Sequence, residues 1–276
     1  MKKRKVKNVL PGFGLSMGLV LAYSSLLVVI PLLMVFINSS QMGWSGFISA
    51  VGNHRVLAAL KLSFLTAFLA ASINVIFGIL LAWVLVRYSF PGKRIIDGLI
   101  DLPFALPTAV AGIVLTTLYS KNGWIGKFLP FKVSFTEFGI VIALIFIGIP
   151  FVVRMVQPVL EDLDPQLEEA AVSLGASRVR TITKVIMPEL TPAILSGFGL
   201  AFARAVGEYG SVIFIAGNLP YKTEIAPLLI MTKLEQYDYA GATAIAAVML
   251  VISFAILITI NFLQMRAVGR VLAKGV

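Results

Sequence analysis

Residues 161–188 read EDLDPQLEEAAVSLGASRVRTITKVIMP, a polar stretch within a chain that is otherwise largely apolar. Asp164 is a good helix N-cap, and Pro165 suits the first helical position because its missing N–H needs no partner there. Glu168 and Glu169 follow in the opening turns, where the helix dipole stabilises negative charge. The stretch therefore predicts a helix that begins near Asp164.

An apolar stripe runs along this predicted helix. Its members recur at i, i+3, i+4 and i+7 and are Leu167, Ala170, Ala171 and Leu174. Gly175 can end the helix in the left-handed conformation, and Ser177 can cap a second helix. The pattern predicts two short helices about a glycine corner, with an apolar stripe that needs a partner. From periodicity alone, two amphipathic helices lying on a bilayer surface are an equal alternative.

Residue identity favours a protein partner for this stretch. The order Glu169-Ala170-Ala171, then Gly175, then Val185-x-Met187-Pro188 resembles the E-A-A, G, I-x-L-P loop of ABC-importer permeases, with Val and Met in place of Ile and Leu. In that family the loop is a cytoplasmic coupling helix that docks in a groove of the ATPase subunit. The resemblance implies a role in ATPase coupling for Glu169, Ala170, Ala171 and Gly175, and we assign Glu168 and Leu174 of the same predicted helix to the coupling set with them.

Composition indicates a membrane protein. Of the 276 residues, 59% are hydrophobic and 13% are charged, whereas soluble domains carry about 25% charged residues. The formal charge of +10 is better explained by basic residues on the cytoplasmic side than by nucleic-acid binding. The chain has no cysteine and a single histidine, His54, which excludes thiolate metal sites, multi-histidine metal sites and a catalytic triad. We therefore assign no catalytic or metal-binding residue.

Six apolar runs are long enough to cross a bilayer. They cover approximately residues 13–37, 62–86, 99–119, 138–155, 191–216 and 240–263. Pro103 and Pro107 lie in the third run, whose first turns should be broken or kinked. Thr191 and Pro192 have the pattern of a cap followed by a first-turn proline, which predicts the start of the fifth span. We expect an all-α integral membrane protein with six transmembrane helices.

The distribution of basic residues predicts the topology. Six spans put both termini on one side, and the tails and loops of that side hold 15 of the 23 Lys and Arg residues, whereas the connections on the other side hold seven. Both termini and the 161–188 loop are therefore expected to be cytoplasmic. The predicted division is a basic cytoplasmic tail at 1–12, a membrane domain at 13–264 and a second cytoplasmic tail at 265–276.

Charged residues border the third and fourth spans. Asp97 and Asp101 are four residues apart at the entrance of the third span. Such a pair could hold magnesium for a diphosphate substrate, as in membrane prenyltransferases, but no second acidic cluster completes that site. Solvated carboxylates are the favoured interpretation, and an intramembrane enzyme is a minor alternative. Arg154 ends the fourth span, where its side chain is expected to reach the interface.

Arg204 and Glu208 are the only charges inside a predicted span away from its ends. A charge at the bilayer centre costs roughly 2.5 to 3.5 kcal/mol, so such residues usually face the protein interior and find partners. Their i, i+4 spacing allows an ion pair. Two hypotheses remain open: a structural pair that orders Gly207 and Gly210, and a pathway or gate element in which Arg204 transiently binds a passing anion.

The chain lacks the G-x-x-x-x-G-K-[ST] phosphate loop, so we do not expect it to hydrolyse ATP. Active transport would need a partner that binds ATP. A channel or secondary transporter, which would conduct without an ATPase, is the alternative.

A longer resemblance covers residues 9–264. The segments that carry it include VLPGF at 9–13, DLPFALPTAVAG at 101–112, GEYG at 207–210 and FIAGN at 214–218. They resemble the T-type permease subunit of sulfate/thiosulfate ABC importers. Molybdate and tungstate permeases also resemble residues 204–218 and are the main alternative within transport.

This resemblance implies a type I ABC-importer permease fold and import of sulfate, with thiosulfate, across a bacterial-type plasma membrane. It also implies an assembly with a homologous W-type permease subunit, two ATPase subunits that bind ATP and Mg, and an extracytoplasmic sulfate-binding protein that meets the outer connections. The resemblance implies no cofactor in this chain.

Overall fold

The computed structural model describes residues 13–274, and within that range every regular element is helical. The predicted tail at 1–12 lies outside the described residues. The first part of the chain forms α1 (Phe13–Ser24), α2 (Ile30–Ser40), α3 (Gly43–Val51), α4 (His54–Arg87), α5 (Lys93–Ile100), α6 (Leu102–Ala105) and α7 (Thr108–Tyr119). A π-helical turn over Ser25–Val29 joins α1 to α2.

The second part of the chain is also helical. It forms α8 (Glu137–Glu161), α9 (Pro165–Ser173), α10 (Arg178–Thr181), α11 (Met187–Val206), α12 (Val212–Ile215), α13 (Ala226–Glu235) and α14 (Tyr239–Lys274). A second π-helical turn, Ile182–Ile186, joins α10 to α11 without a break. A 3₁₀ turn at Gly126–Phe128 lies in the connection between α7 and α8.

Within the residues that the structure describes, five helical runs are long and apolar enough to span a membrane. They are Phe13–Ser40, His54–Arg87, Glu137–Glu161, Arg178–Val206 and Tyr239–Gly269. The third predicted span is instead divided into α5, α6 and α7, and α7 has only 12 residues. Leu106 is extended because the residue before a proline, here Pro107, is sterically excluded from the helical region. The predicted break in this span is confirmed.

The predicted limits of the fifth span are wrong at both ends. Thr191 does not cap a helix, since it lies inside α11 and its hydroxyl donates to the Met187 carbonyl at 2.8 Å. The helical run begins at Arg178, because Ser177 provides the N-cap and the π-helical turn carries the helix onward. It ends at Val206, where Gly207 follows, so the segment from 207 to 225 is largely irregular.

The fourth span also differs from its predicted end near Met155. Helix α8 continues to Glu161 in spite of two internal prolines, so Arg154 lies within the helix rather than at its end. Asn53 caps α4 by accepting a hydrogen bond from the Arg55 N–H at 2.9 Å, which places the start of that helix well before the predicted apolar run.

The core is a close packing of α4, α8 and α11 around Val152. A Cβ atom on Gly78 of α4 would lie 2.7 Å from Val152 Cγ1, and one on Gly197 of α11 would lie 2.9 Å from Val152 Cα. Small residues at these positions therefore let the three helices approach closely. This core fixes both ends of the 161–188 loop, because α8 leads into the loop and the run from α10 to α11 leads out of it.

Candidate functional site

The helices cross the bundle in alternating directions, so the molecule has two ends. We call the end with residues 162–177 the loop end and the end with residues 120–136 and 207–238 the far end. The loop end carries the coupling-loop candidates, and the Arg204–Glu208 pair lies toward the far end.

Local interactions build the loop as its sequence predicts. The Asp164 carboxylate accepts a hydrogen bond from the Gln166 N–H at 2.9 Å and starts α9. Gly175 ends the helix with φ at +80°, in the left-handed region that favours glycine. The Ser177 hydroxyl accepts from the Arg180 N–H at 3.4 Å and caps α10. The glycine corner is confirmed, but the second helix is not short, since it continues into α11.

The predicted apolar stripe of α9 is largely open. Leu174 is 89% exposed, and Leu167 and Ala170 are also exposed, whereas Ala171 is half-buried. Val179 on α10 is 71% exposed and extends the apolar surface beyond the glycine corner. A surface of this composition at the tip of a loop is typical of an interaction site.

The loop is attached to the end of α4 through Glu168. Its carboxylate pairs with the Arg87 guanidinium, and both side chains are half-buried. The same guanidinium lies over the Trp83 ring, 5.5 Å from its centroid. A 270 Å³ cavity between Trp83, Val172 and Ile186 lies beside the pair. Sequence reasoning named Glu168 but missed Arg87, whose position at the end of an apolar span was the available signal.

A second cluster at the loop end corrects the interpretation of Asp97, Asp101 and Arg154. The guanidinium of Arg154 donates to both Asp101 oxygens, at 2.8 and 2.7 Å, and to Asp97 Oδ1 at 2.6 Å. It also donates to the Gln157 side-chain oxygen at 2.8 Å. The aspartates are therefore not free solvated carboxylates, and Arg154 does not simply reach for the interface. The cluster joins α5 to α8, where an arginine has two carboxylates to bind.

Metal chemistry finds no support in this cluster. Within the part of the chain that the structure describes, no three His, Asp or Glu side chains come together as metal ligands would. Asp97 and Asp101 share an arginine, which would oppose a bound cation.

Arg204 and Glu208 do form the predicted ion pair, with 2.5 Å between Arg204 Nη1 and Glu208 Oε2. Glu208 is only 1% exposed, and its other oxygen accepts hydrogen bonds from the Ser211 N–H at 2.8 Å and the Ser211 hydroxyl at 3.0 Å. Only Glu208 lies outside the span, because α11 ends at Val206. Arg204 occupies the last turn of α11, where the helix dipole favours a cation.

The segment that follows this pair is packed tightly against α7. A Cβ atom on Gly210 would lie 2.2 Å from Thr108 Oγ1, and one on Gly112 would lie 2.4 Å from the Ser211 carbonyl oxygen. These contacts support the structural hypothesis for the pair, since Glu208 holds Ser211 against α7. Arg204 itself is only half-buried, with 35% of its side chain exposed.

The far end contains a further ion pair that sequence reasoning missed. Arg55 donates from Nε and Nη2 to the two oxygens of Glu224, both at 2.7 Å, and Glu224 is 2% exposed. Ser63, about two turns after Arg55 on α4, accepts a hydrogen bond from the Ala226 N–H at 2.7 Å. These contacts fix the 207–225 segment onto α4.

A family model described as "Binding-protein-dependent transport system inner membrane component" matches residues 74–272. The chain belongs to this family. The match includes the loop, the Arg87–Glu168 pair, the Arg154 cluster and the Arg204–Glu208 pair.

Two curated relatives of this permease match along nearly their full length. The "Sulfate transport system permease protein CysT" of Salmonella typhimurium is 50% identical over 268 residues, which are 96% of this chain and 97% of the relative. The protein of the same name from Escherichia coli is 48% identical over 268 residues, with the same coverage of both chains. The predicted resemblance to sulfate permeases is confirmed.

The solved structures support the fold. A chain of a bacterial alginate ABC transporter, crystallised with an alginate pentasaccharide-bound periplasmic protein, superimposes with a TM-score of 0.75. The match covers 92% of this permease and 95% of that chain at 20% sequence identity. The predicted type I importer permease fold is confirmed.

Proposed function

We propose that this chain is the membrane-spanning permease subunit of an ATP-driven importer that carries sulfate, and thiosulfate, into the cytoplasm. The observation that carries the proposal is 50% identity to a sulfate transport permease over 96% of the chain. Molybdate or tungstate import is the alternative, since residues 204–218 also resemble those permeases. The sulfate names of the relatives favour sulfate.

The proposed assembly pairs this chain with a W-type permease, two ATPase subunits and an extracytoplasmic sulfate-binding protein. The loop end would face the cytoplasm, where ATP and Mg are available to the ATPase. Leu174 and Val179 support this assignment, because their exposed apolar side chains would be buried by an ATPase groove. The far end would then meet the binding protein.

Coupling in this proposal passes through two arginines. Closure of the ATPase dimer would displace α9, and the Arg87–Glu168 pair would carry that displacement to α4. The Arg154 cluster would keep α5 and α8 together during the movement. Rigid helices joined by such pairs can alternate between two arrangements, one open to each side of the membrane.

Arg204 is the proposed contact for the anion within the pathway. Its side chain is half-exposed, and Glu208 would neutralise it when no anion is present. A partly neutralised arginine binds a dianion weakly, which suits a site that must release its substrate.

The proposal is tested by uptake of labelled sulfate into proteoliposomes that hold the whole assembly, with molybdate as competitor. We expect uptake that requires ATP and resists excess molybdate. Preferential uptake of molybdate would show that the assignment of sulfate as substrate is wrong, whereas the proposed permease assembly would stand. Uptake without ATP would contradict the proposal that import is driven by ATP.

A charge reversal in the loop tests the coupling assignment. Glu169→Lys should abolish ATP-driven uptake while the permease still inserts, because the exposed carboxylate of Glu169 lies on the proposed docking surface. Glu235→Lys, the same change at an exposed position of the far end, is the matched control: it should leave the amount of ATPase bound to the permease unchanged, whereas Glu169→Lys should reduce it. Normal uptake by Glu169→Lys would rule out this coupling role.

A further inference from the structure

A cleft of about 570 Å³ opens at the far end of the permease, between α4, the start of α8 and the segment around Tyr221. One wall is apolar and consists of Leu57, Ala58, Leu62 and Leu65, all on α4. The polar side chains of the cleft are His54, Lys61, Glu137, Tyr221 and Lys222.

The basic residues of this cleft have no ion-pair partner among residues 13–269. Lys61 and Lys222 are exposed and take part in none of the salt bridges of that region. Glu137 is the only carboxylate that lines the cleft, and it too has no such partner. The nearby Arg55, by contrast, is bound through two hydrogen bonds to Glu224. The cleft therefore holds more positive than negative charge.

Lys61 lines the cleft between apolar side chains of α4. It lies two turns into α4, about 10 Å beyond the helix start at His54 by the helical rise. Leu57 and Leu65, one turn to each side of Lys61, are both exposed and apolar. Apolar walls concentrate the electric field of a charge between them, which strengthens its attraction for an oppositely charged ligand.

Tyr221 lines the cleft and has an uncommon backbone conformation. Its φ angle is +64°, in the left-handed region that a tyrosine rarely adopts. Its ring lies 5.6 Å from the ring of His54, centroid to centroid. Backbone strain of this kind persists only where the surroundings impose it, and it is concentrated at ligand sites. The hydroxyl of Tyr221 and the ammonium groups of Lys61 and Lys222 all provide hydrogen-bond donors.

We propose that this cleft is an entrance site for the oxyanion substrate, in which Lys61 and Lys222 bind the tetrahedral dianion before it passes into the membrane. This inference rests on the proposed function, because the far end must be the extracytoplasmic side. Glu137 lowers the affinity of the site for the dianion, so the anion is attracted and then released, as transport requires.

The first test measures sulfate uptake by the complete assembly at saturating concentrations of loaded binding protein. Lys61→Gln should lower the maximal uptake rate by about tenfold, because the field that attracts the anion is weakened. The concentration of binding protein that gives half-maximal uptake should not change. Lys61→Arg should restore uptake, since it restores the charge. The control is Lys127→Gln, an exposed lysine of the same end that does not line the cleft.

A second test needs no transport and separates failure of this site from failure of the proposed function. The chain has no cysteine, so Leu57→Cys places a single thiol in the cleft. We expect anionic thiol reagents to react faster than cationic ones of similar size, and Lys61→Gln with Lys222→Gln to lower that ratio at least about threefold. Sulfate should slow the anionic reagent more than chloride does at equal ionic strength.

Three results would overturn the entrance site. The first is normal uptake by Lys61→Gln in an assembly that transports sulfate. The second is an unchanged maximal rate with a higher requirement for binding protein, which would make the cleft a protein-docking surface. The third is an equal rate of reaction of Leu57→Cys with anionic and cationic reagents. If the wild-type assembly takes up no sulfate but the cleft still attracts anions at Leu57→Cys, the proposed function fails and the anion site remains.

Discussion

At the loop end, Arg87 and Arg154 each bind carboxylates of a neighbouring short helix, whereas at the far end Lys61 and Lys222 line a cleft without an ion pair in the described residues. Each arginine connects an apolar span to a short helix, which is the connection that the proposed coupling uses. The lysines are open to a ligand instead. The difference teaches that basic residues can be paired at one end of the permease and unpaired at the other, and our proposals assign coupling to the paired arginines and anion attraction to the unpaired lysines.

The Arg55–Glu224 pair of the far end, like Arg204–Glu208, has a carboxylate that is more buried than those paired with Arg87 and Arg154. Glu224 is nearly inaccessible, and Arg55 is its only ionic partner in the described residues. This pair fixes the segment that leads to the cleft. It therefore offers the clearest case of a structural charge at the far end, against which the open lysines can be compared.

The largest effect on stability is expected from Arg55→Ala. Loss of the guanidinium leaves the buried Glu224 carboxylate without a partner, which we expect to lower the free energy of unfolding by about 2 kcal/mol, less than for a fully buried pair because Arg55 is partly exposed. Denaturant titration of the detergent-solubilised chain measures the change. The double variant Arg55→Ala/Glu224→Gln should recover part of the loss, because it removes the unpaired charge. A double variant as unstable as the single one would contradict this explanation.

Sequence reasoning succeeded where the signal was local. Asp164, Pro165 and Gly175 specify the start and end of α9 through their own backbone preferences, and each behaves as predicted. The pairs were missed because their partners are distant in sequence. Arg87 and Glu168 are 81 residues apart, and Arg55 and Glu224 are 169 residues apart. No periodicity or cap links such residues, since only tertiary packing brings them together.

The second prediction concerns the joint between α4 and α9 and has a smaller effect. Arg87→Glu should lower ATP-driven uptake about tenfold, which corresponds to about 1.4 kcal/mol, because two carboxylates would then repel each other at the joint. ATP hydrolysis by the assembly should fall much less, so the amount of sulfate carried per ATP should decrease. Both quantities are measured in the same proteoliposomes.

The swapped variant Arg87→Glu/Glu168→Arg is the control for this joint. It restores the opposite charges in reverse order, and we expect it to recover most of the uptake. Equal losses of uptake and ATP hydrolysis in the single variant, or no recovery in the swapped one, would show that the pair does not transmit the movement.

Two errors of prediction came from patterns with more than one structural meaning. Thr191-Pro192 has the pattern of a helix start, but a threonine within a helix can donate to the carbonyl four residues earlier, as Thr191 does. Glu208 was placed inside a span because the surrounding residues are apolar. Its carboxylate instead accepts hydrogen bonds from Ser211 in a turn after the helix, which an apolar run does not reveal.

The smallest predicted effect concerns a lysine of the far end that is already paired. Lys233 donates to Asp238 at 2.8 Å and lowers the pKa of the Asp238 carboxyl. Asp238→Asn should lower the free energy of unfolding at neutral pH by only about 0.5 kcal/mol, because the pair is partly exposed and screened.

The lowered pKa of Asp238 also predicts how this effect depends on pH. The carboxylate charge stabilises the fold fully above the ordinary carboxyl pKa of about 3.9, and this contribution is lost as the pH falls through the lower folded-state pKa. Denaturant titrations of both proteins from neutral to acidic pH should therefore converge. A difference in unfolding free energy that persists in acid would come from the hydrogen bond that the Gly241 N–H donates to Asp238, rather than from the charge. The ammonium group of Lys233 would then contribute no more to stability through this pair than the unpaired lysines of the cleft do.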